Sequence, residues 1–196
     1  MPKSFSEQER EYIRQRLKEE AANCLAKYGV RRTTVDEIVK RAKIPKGTFY
    51  LFYKSKELLL FEVMQEQQEN VNRRLYQTIS GIANTEFSAE KLTDVIFAFY
   101  KTAEQMPVLK LIDVGEVELL VRKLPPEIVE GHLQDDTDTI EKMFALLPLK
   151  KETDIKVMSA AFHAIYYATL HKAEIGKKEY DEALRTLIYG IVIQVI

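Results

Sequence analysis

Apolar positions return at three- and four-residue steps along most of the chain, the period of an amphipathic helix. Ile13, Leu17, Ala21, Cys24, Leu25 and Tyr28 share one such face, and the spacing predicts a helix over residues 6–28. Ser6 followed by Glu9 has the capping-box pattern at its start, and Gly29 ends it. The same pattern recurs at Thr34 and Glu37, opening a short helix over 35–42 with Val35, Ile38, Val39 and Ala42 apolar. Pro45 disfavours helix at Ile44. A third short helix, 46–53, then sets Phe49 and Tyr53 on one face and Lys46, Gly47 and Tyr50 on the other. Two short helices joined by a tight turn make a helix-turn-helix.

Helical spacing continues beyond it. Ser55 caps a fourth helix running to about residue 80, and Ser88 caps a fifth that ends at Gln105. Pro107 is placed to start a sixth that ends at Arg122. A seventh lies between Pro125-Pro126 and Leu147, an eighth over 153–173, and a ninth from Tyr180 onward. No strand pattern or repeat interrupts them. The expected class is all-α with about nine helices: a three-helix head, residues 1–55, and a helical body, residues 56–196.

The last two helices are unusual in polarity. Val157–Leu170 is 14 residues without Asp, Glu, Lys or Arg, and Thr186–Ile196 is 11 more. A helix without a charged face is buried on every side. A chain of this size buries two such helices most simply by sharing them with a second copy across an isologous interface. Phe162, Ile165, Leu184, Leu187, Ile188 and Ile191 are the expected contacts.

Charge changes the picture only when it is divided. The whole chain carries 29 Lys or Arg against 30 Asp or Glu. Residues 1–56 hold 14 basic against 7 acidic residues, whereas the remainder holds 15 against 23. A basic head on an acidic body points to a polyanion as the head's partner. Other classes fall away. Seven glycines, no two closer than Gly176 and Gly190, leave no GxGxxG loop and no GxSxG elbow. One cysteine excludes an internal disulfide, and His132, His163 and His171 lack metal-binding spacing. No catalytic residues, metal or cofactor are expected. No signal peptide or membrane span is expected either, and a cytoplasmic setting follows from that reading.

A helix-turn-helix sets the start of its second helix in the DNA major groove. Lys46 stands there, suited to guanine or phosphate, with Gly47 permitting close backbone approach and Thr48 and Tyr50 on the same face. Arg31, Arg32, Thr33, Lys54 and Lys56 surround it as candidate phosphate contacts.

Thr33-Thr34-Val35-Asp36-Glu37-Ile38, Ala42 to Tyr50 and Phe52 to Leu58 together resemble the DNA-binding domain of the tetracycline-repressor (TetR) family, with Ala21-Ala22, Leu25 and Tyr28-Gly29 fitting its first helix. The resemblance covers about residues 10–60. It implies a nine-helix homodimeric repressor of a near-palindromic double-stranded DNA operator, released by a small-molecule effector bound in the body. Carried over by position, Lys46, Gly47, Thr48 and Tyr50 match the third-helix contacts. Thr33 or Thr34 matches a second-helix phosphate contact, and Lys56 matches a basic phosphate clamp; Arg32 and Lys54 complete the expected set. The chain departs from the family pattern at Lys43, where a small residue or glycine is usual, at Phe52, often a hydrogen-bonding aromatic, and at Tyr53, usually a buried Phe. The candidate effector pocket is Tyr100, Glu116, His163, Tyr166 and Tyr167, with Glu116 favouring a cationic ligand if buried there. The alternative is a DNA-binding regulator without a small-molecule effector, controlled by a protein partner.

Overall fold

The computed structural model describes residues 5–83, 87–105, 114–176 and 178–196. The described residues form ten helices and no strand: α1 Glu7–Arg32, α2 Val35–Ala42, α3 Lys46–Phe52, α4 Lys56–Ala83, α5 Ala89–Gln105, α6 Val114–Val121, α7 Pro126–Phe144, α8 Ile155–Leu170, α9 Lys172–Ile175 and α10 Tyr180–Val195. One more helix than expected arises because the eighth breaks at His171 into α8 and the single turn α9. The expected start of the sixth at Pro107 lies outside the described residues.

The chain packs as two compact units, residues 1–68 with 106–125, and residues 69–105 with 126–196. The sequence boundary at 55/56 marks the start of α4. The first unit runs past it, taking in the first half of α4 and all of α6.

In the first unit, Ser6 accepts from the Glu9 N–H and the Glu9 carboxylate returns to the Ser6 N–H, so the expected capping box is complete. Gly29 adopts φ 72°, ψ −178° and breaks the helix where the sequence places its end. The second capping box forms only by half. Thr34 accepts from the Glu37 N–H at 3.2 Å, but the Glu37 carboxylate turns to Arg41 at 2.7 Å. Leu17, Ala21 and Leu25 of α1, Ile38 of α2, Phe49 of α3 and Leu59 and Leu60 of α4 are all fully buried. Those of α1, α2 and α3 are among the apolar positions that the periodicity singled out.

In the second unit, α5 packs against α10, and α8 packs against α5, α7 and α10. Leu92, Ile96 and Tyr100 meet Phe144, Phe162, Ile165, Leu184, Ile188 and Val192 in one core. The Tyr100 hydroxyl donates to the Phe162 carbonyl at 2.8 Å. Glu104 accepts from Lys101, Lys172 and the Tyr180 hydroxyl at 2.8 to 3.0 Å, tying α5 to α9 and α10.

Candidate nucleic-acid interface

The turn between α2 and α3 is set by Lys43, which takes the left-handed conformation, φ 57° and ψ 42°. The Ile44 N–H donates to the Val39 carbonyl at 3.0 Å and the Lys43 N–H to the Lys40 carbonyl at 3.3 Å. This is the hydrogen-bonding pattern of a Schellman ending, which glycine usually occupies. Among the described residues Lys43 is the one non-glycine with positive φ, so this chain holds the helix-turn-helix geometry against a small backbone cost.

Pro45 precedes α3, and no side chain caps its first turn. Phe49 anchors the helix from below, with Tyr50 edge-on at 5.2 Å and Tyr53 tilted at 5.9 Å. The opposite face is open. Lys46, Gly47 and Tyr50 are exposed and Thr48 half-buried. A Cβ on Gly47 would meet nothing within 4 Å, so the protein's own packing does not require glycine there. Leu51 is 63% exposed beside Tyr50 at 52%. The sequence reading missed Leu51, because an apolar residue in a short helix reads as core until its direction is known. Its position suits contact with a thymine methyl.

Arg31, Arg32, Lys40, Lys43 and Lys54 are exposed around this face. Lys46 pairs with Asp36 at 2.8 Å, an exposed contact that hydrogen-bonds the ammonium and raises its pKa. Such a pair exchanges readily for a phosphate or a base edge. Phe52 carries no hydrogen bond to DNA but has a local use. Its ring packs on Phe5 at 6.4 Å and under the Arg10 guanidinium at 5.4 Å, tying the chain ahead of α1 to α3.

Two expected phosphate contacts are placed elsewhere. Thr33 is fully buried, and its hydroxyl donates to the Gly29 carbonyl at 2.6 Å. It therefore closes the end of α1, whereas its neighbour Thr34 is exposed. Lys56 is half-buried, and its ammonium donates to the Val30 and Thr33 carbonyls at 2.8 and 2.5 Å. Burial lowers its pKa, with the Lys123 charge adding to the effect. One N–H of Lys56 remains beyond those two bonds. Tyr53 is buried and its hydroxyl has no hydrogen-bond partner among the described residues. Burial, with the Glu62 charge, holds its pKa far above that of an ordinary phenol.

Four of the five expected effector residues belong to the second unit, where Tyr166 packs against the core cluster that holds Tyr100. Tyr100 lies in the core with its hydroxyl satisfied. Tyr167 is 61% exposed, with Tyr166 edge-on to it at 6.0 Å. His163 lines an open cleft of about 400 Å³ with Gln134, Glu141, Lys156, Ser159 and Ala160. Glu116 belongs to the first unit, where its carboxylate accepts from the Val30 and Arg31 N–H groups at 3.0 and 3.3 Å. Its carboxylate is thus engaged by backbone N–H groups of the first unit.

The expected dimer contacts differ among themselves in exposure. Phe162, Ile165, Leu184 and Ile188 are buried in their own unit, Ile191 is half-buried, and Leu187 alone of the six is exposed, at 55%. The exposed apolar stripe on α8 is Val157, Ala160, Ala164 and Tyr167, spaced by three, four and three residues. Leu187 and Ile193 are exposed on α10.

Residues 17–63 match the model of the bacterial regulatory proteins of the tetR family. The helix-turn-helix segment of this chain is thus similar to the DNA-binding segment of that family. The fatty acid metabolism regulator protein of Bacillus subtilis is 22% identical over 180 residues, covering 87% of this chain and 91% of that protein. The structure of a TetR-family transcriptional regulator from Mesorhizobium loti superposes with a TM-score of 0.69 at 15% identity, covering 97% and 99% of the two chains. The structure of the regulator FadR from Bacillus subtilis in complex with stearoyl-CoA gives a TM-score of 0.60 at 17% identity, covering 93% and 98%. At such identities these structures establish a shared all-α fold. No helix among the described residues is long and apolar enough to cross a membrane.

Proposed function

We propose that this chain is a TetR-family transcriptional repressor, cytoplasmic and non-enzymatic, that binds a near-palindromic operator as a homodimer and is released by a small-molecule effector. The observation that carries the reading is the open face of α3: Lys46, Gly47, Tyr50 and Leu51 stand clear of the core above a buried Phe49, with Thr48 half-buried beside them. Lys46 leaves Asp36 to meet guanine or phosphate, and Arg31, Arg32, Thr34 and Lys54 take phosphates that fix register without reading sequence. Two copies joined through the stripes on α8 and α10 carry two heads, and a two-fold pair of heads asks for a two-fold operator with half-sites one helical turn apart. An effector displaces the DNA only through its different affinity for the bound and released states. The stearoyl-CoA held by the FadR neighbour supports an effector of this general kind in the body without naming this one.

The test is selection of duplexes from a random DNA library by the full chain. The expected product is an inverted repeat bound by two copies, with affinity falling steeply as salt rises. Failure to enrich any sequence, together with no salt-dependent duplex binding, would overturn the reading. Release of that duplex by a screened small molecule separates this regulator from one controlled by a protein partner.

A further inference from the structure

The last turn of α1, beyond its kink at Gly29, is gripped by two side chains from distant parts of the chain. From α6, the Glu116 carboxylate accepts from the Val30 and Arg31 N–H groups at 3.0 and 3.3 Å. From α4, Lys56 donates to the Val30 and Thr33 carbonyls. Between them lies Gly29 at φ 72°, ψ −178°, a backbone state essentially confined to glycine. A Cβ at residue 29 would collide with the Glu116 carboxylate, so the glycine both makes the bend and clears the seat. The Thr33 hydroxyl closes back on the Gly29 carbonyl, and the next residue, Thr34, is the N-cap of α2. Three residues therefore separate Val30, the first contact of the acid, from the cap that starts the helix-turn-helix. The far end of this strap is tied as well. Leu120 is fully buried, and Lys123 donates to the buried Glu57 of α4 at 3.2 Å. All of these residues lie within the first unit.

We propose that Glu116 is a positioning residue for operator binding: its carboxylate latches α6 onto the bend at Gly29–Thr33 and so fixes the pitch at which α2 and α3 meet DNA. The inference rests on the operator-binding reading above. It adds that α6, outside the helix-turn-helix, holds the head ready. A head fixed before binding loses less freedom on the DNA than one that must be ordered there. Two hydrogen bonds to a charged acceptor are strong enough to hold such a joint. Glu116 itself touches no DNA.

The experiment compares the full-length wild type with Glu116→Ala, Glu116→Gln and Lys123→Met. Each is titrated against the selected operator duplex from about 50 to 200 mM salt, and amide exchange is followed at residues 30 and 31. Glu116→Ala is expected to weaken operator binding about tenfold while the slope of log affinity against log salt is unchanged, because no phosphate contact is lost. Exchange at Val30 and Arg31 is expected to accelerate. Glu116→Gln keeps an acceptor oxygen at the same reach and recovers most of the affinity, which a protein that had merely misfolded would not do. Lys123→Met cuts the other tie and leaves the buried Glu57 unpaired, so it too is expected to weaken binding at an unchanged salt slope. Wild-type affinity in both Glu116 variants overturns the latch, as does a fall in the salt slope or equal loss in the Ala and Gln variants. A wild type that binds no duplex defeats the operator reading itself, and the latch with it.

Discussion

Gly47 separates the needs of the fold from those of DNA. It sits in the first turn of α3 at an exposed position, and a Cβ there meets nothing within 4 Å. Its φ is not in the positive region. The free protein therefore accepts Gly47→Ala without strain and gains about 0.4–1 kcal/mol from the reduced freedom of the unfolded chain. For a chain of this length, that raises Tm by roughly 1–4 °C. On DNA the same methyl stands between the α3 backbone and the groove edge. If the backbone approaches within van der Waals contact, the helix must back away and its neighbouring contacts lengthen together. We expect at least about a tenfold loss of operator affinity, or about 1.4 kcal/mol. The assay pairs thermal melts with fluorescence-anisotropy titration of a labelled operator at fixed salt. Gly131→Ala is the control: it lies within α7, also meets nothing within 4 Å, and lies far along the chain from α3. It should match the stability gain and leave binding unchanged. A Gly47→Ala variant that binds as tightly as wild type would refute the reasoning, because the backbone at residue 47 would then not be what approaches DNA.

Three further outcomes follow from the same geometry. Tyr53→Phe removes a buried hydroxyl that has no partner and so should be neutral or stabilise by up to about 1 kcal/mol in denaturant melts; a loss of more than that would show an unseen partner for the oxygen. Glu104 is partly buried, which opposes its ionisation, but hydrogen bonds from Lys101, Lys172 and Tyr180 outweigh this and hold its pKa below the ordinary 4.5. Its contribution to stability is therefore complete above that pH and is lost as pH falls through the lowered folded value, and a Glu104→Gln variant should show a shallower fall in Tm across that range. Leu187→Glu places a charge on the exposed stripe of α10 and, on the proposed homodimer, should shift dimer to monomer in sedimentation experiments with a lower Tm that no longer depends on protein concentration; a dimer of undiminished affinity would move the interface away from this face.

The parts of this protein that were legible in the sequence are those whose causes are local. Ser6 with Glu9, Gly29, Thr34 and Pro45 act on backbone within four residues, and the helix boundaries they mark agree with the structure. Lys43 belongs with them, since a residue closing a tight turn must take the left-handed state whatever its side chain. The second capping box shows where local rules stop: Glu37 could serve Thr34 or Arg41, and a charged partner one turn on won. The uncharged helices offered less to read, for a different reason. Periodicity fixes a helix face by contrast between polar and apolar positions, and α8 has almost none. Either side could have met the core, so the choice of Phe162 and Ile165 over Val157 and Tyr167 as interface residues had no phase to rest on.

Thr33 and Thr34 make the remaining distinction sharply. They are adjacent, chemically identical and equally suited to a phosphate, yet one is sealed and the other open. What divides them is the bend at Gly29. It turns the Thr33 hydroxyl inward to the Gly29 carbonyl and leaves Thr34 to start α2. That bend is in turn held by Glu116, 86 residues from Val30 along the chain. No local pattern relates residues so far apart. Gly29 alone could have hinted at it, because a glycine with a special backbone state often leaves room for something to approach. The sequence reading used it only as a helix stop. The same glycine makes room for the carboxylate, and through it the surface available to DNA depends on a helix that the sequence assigned to the body.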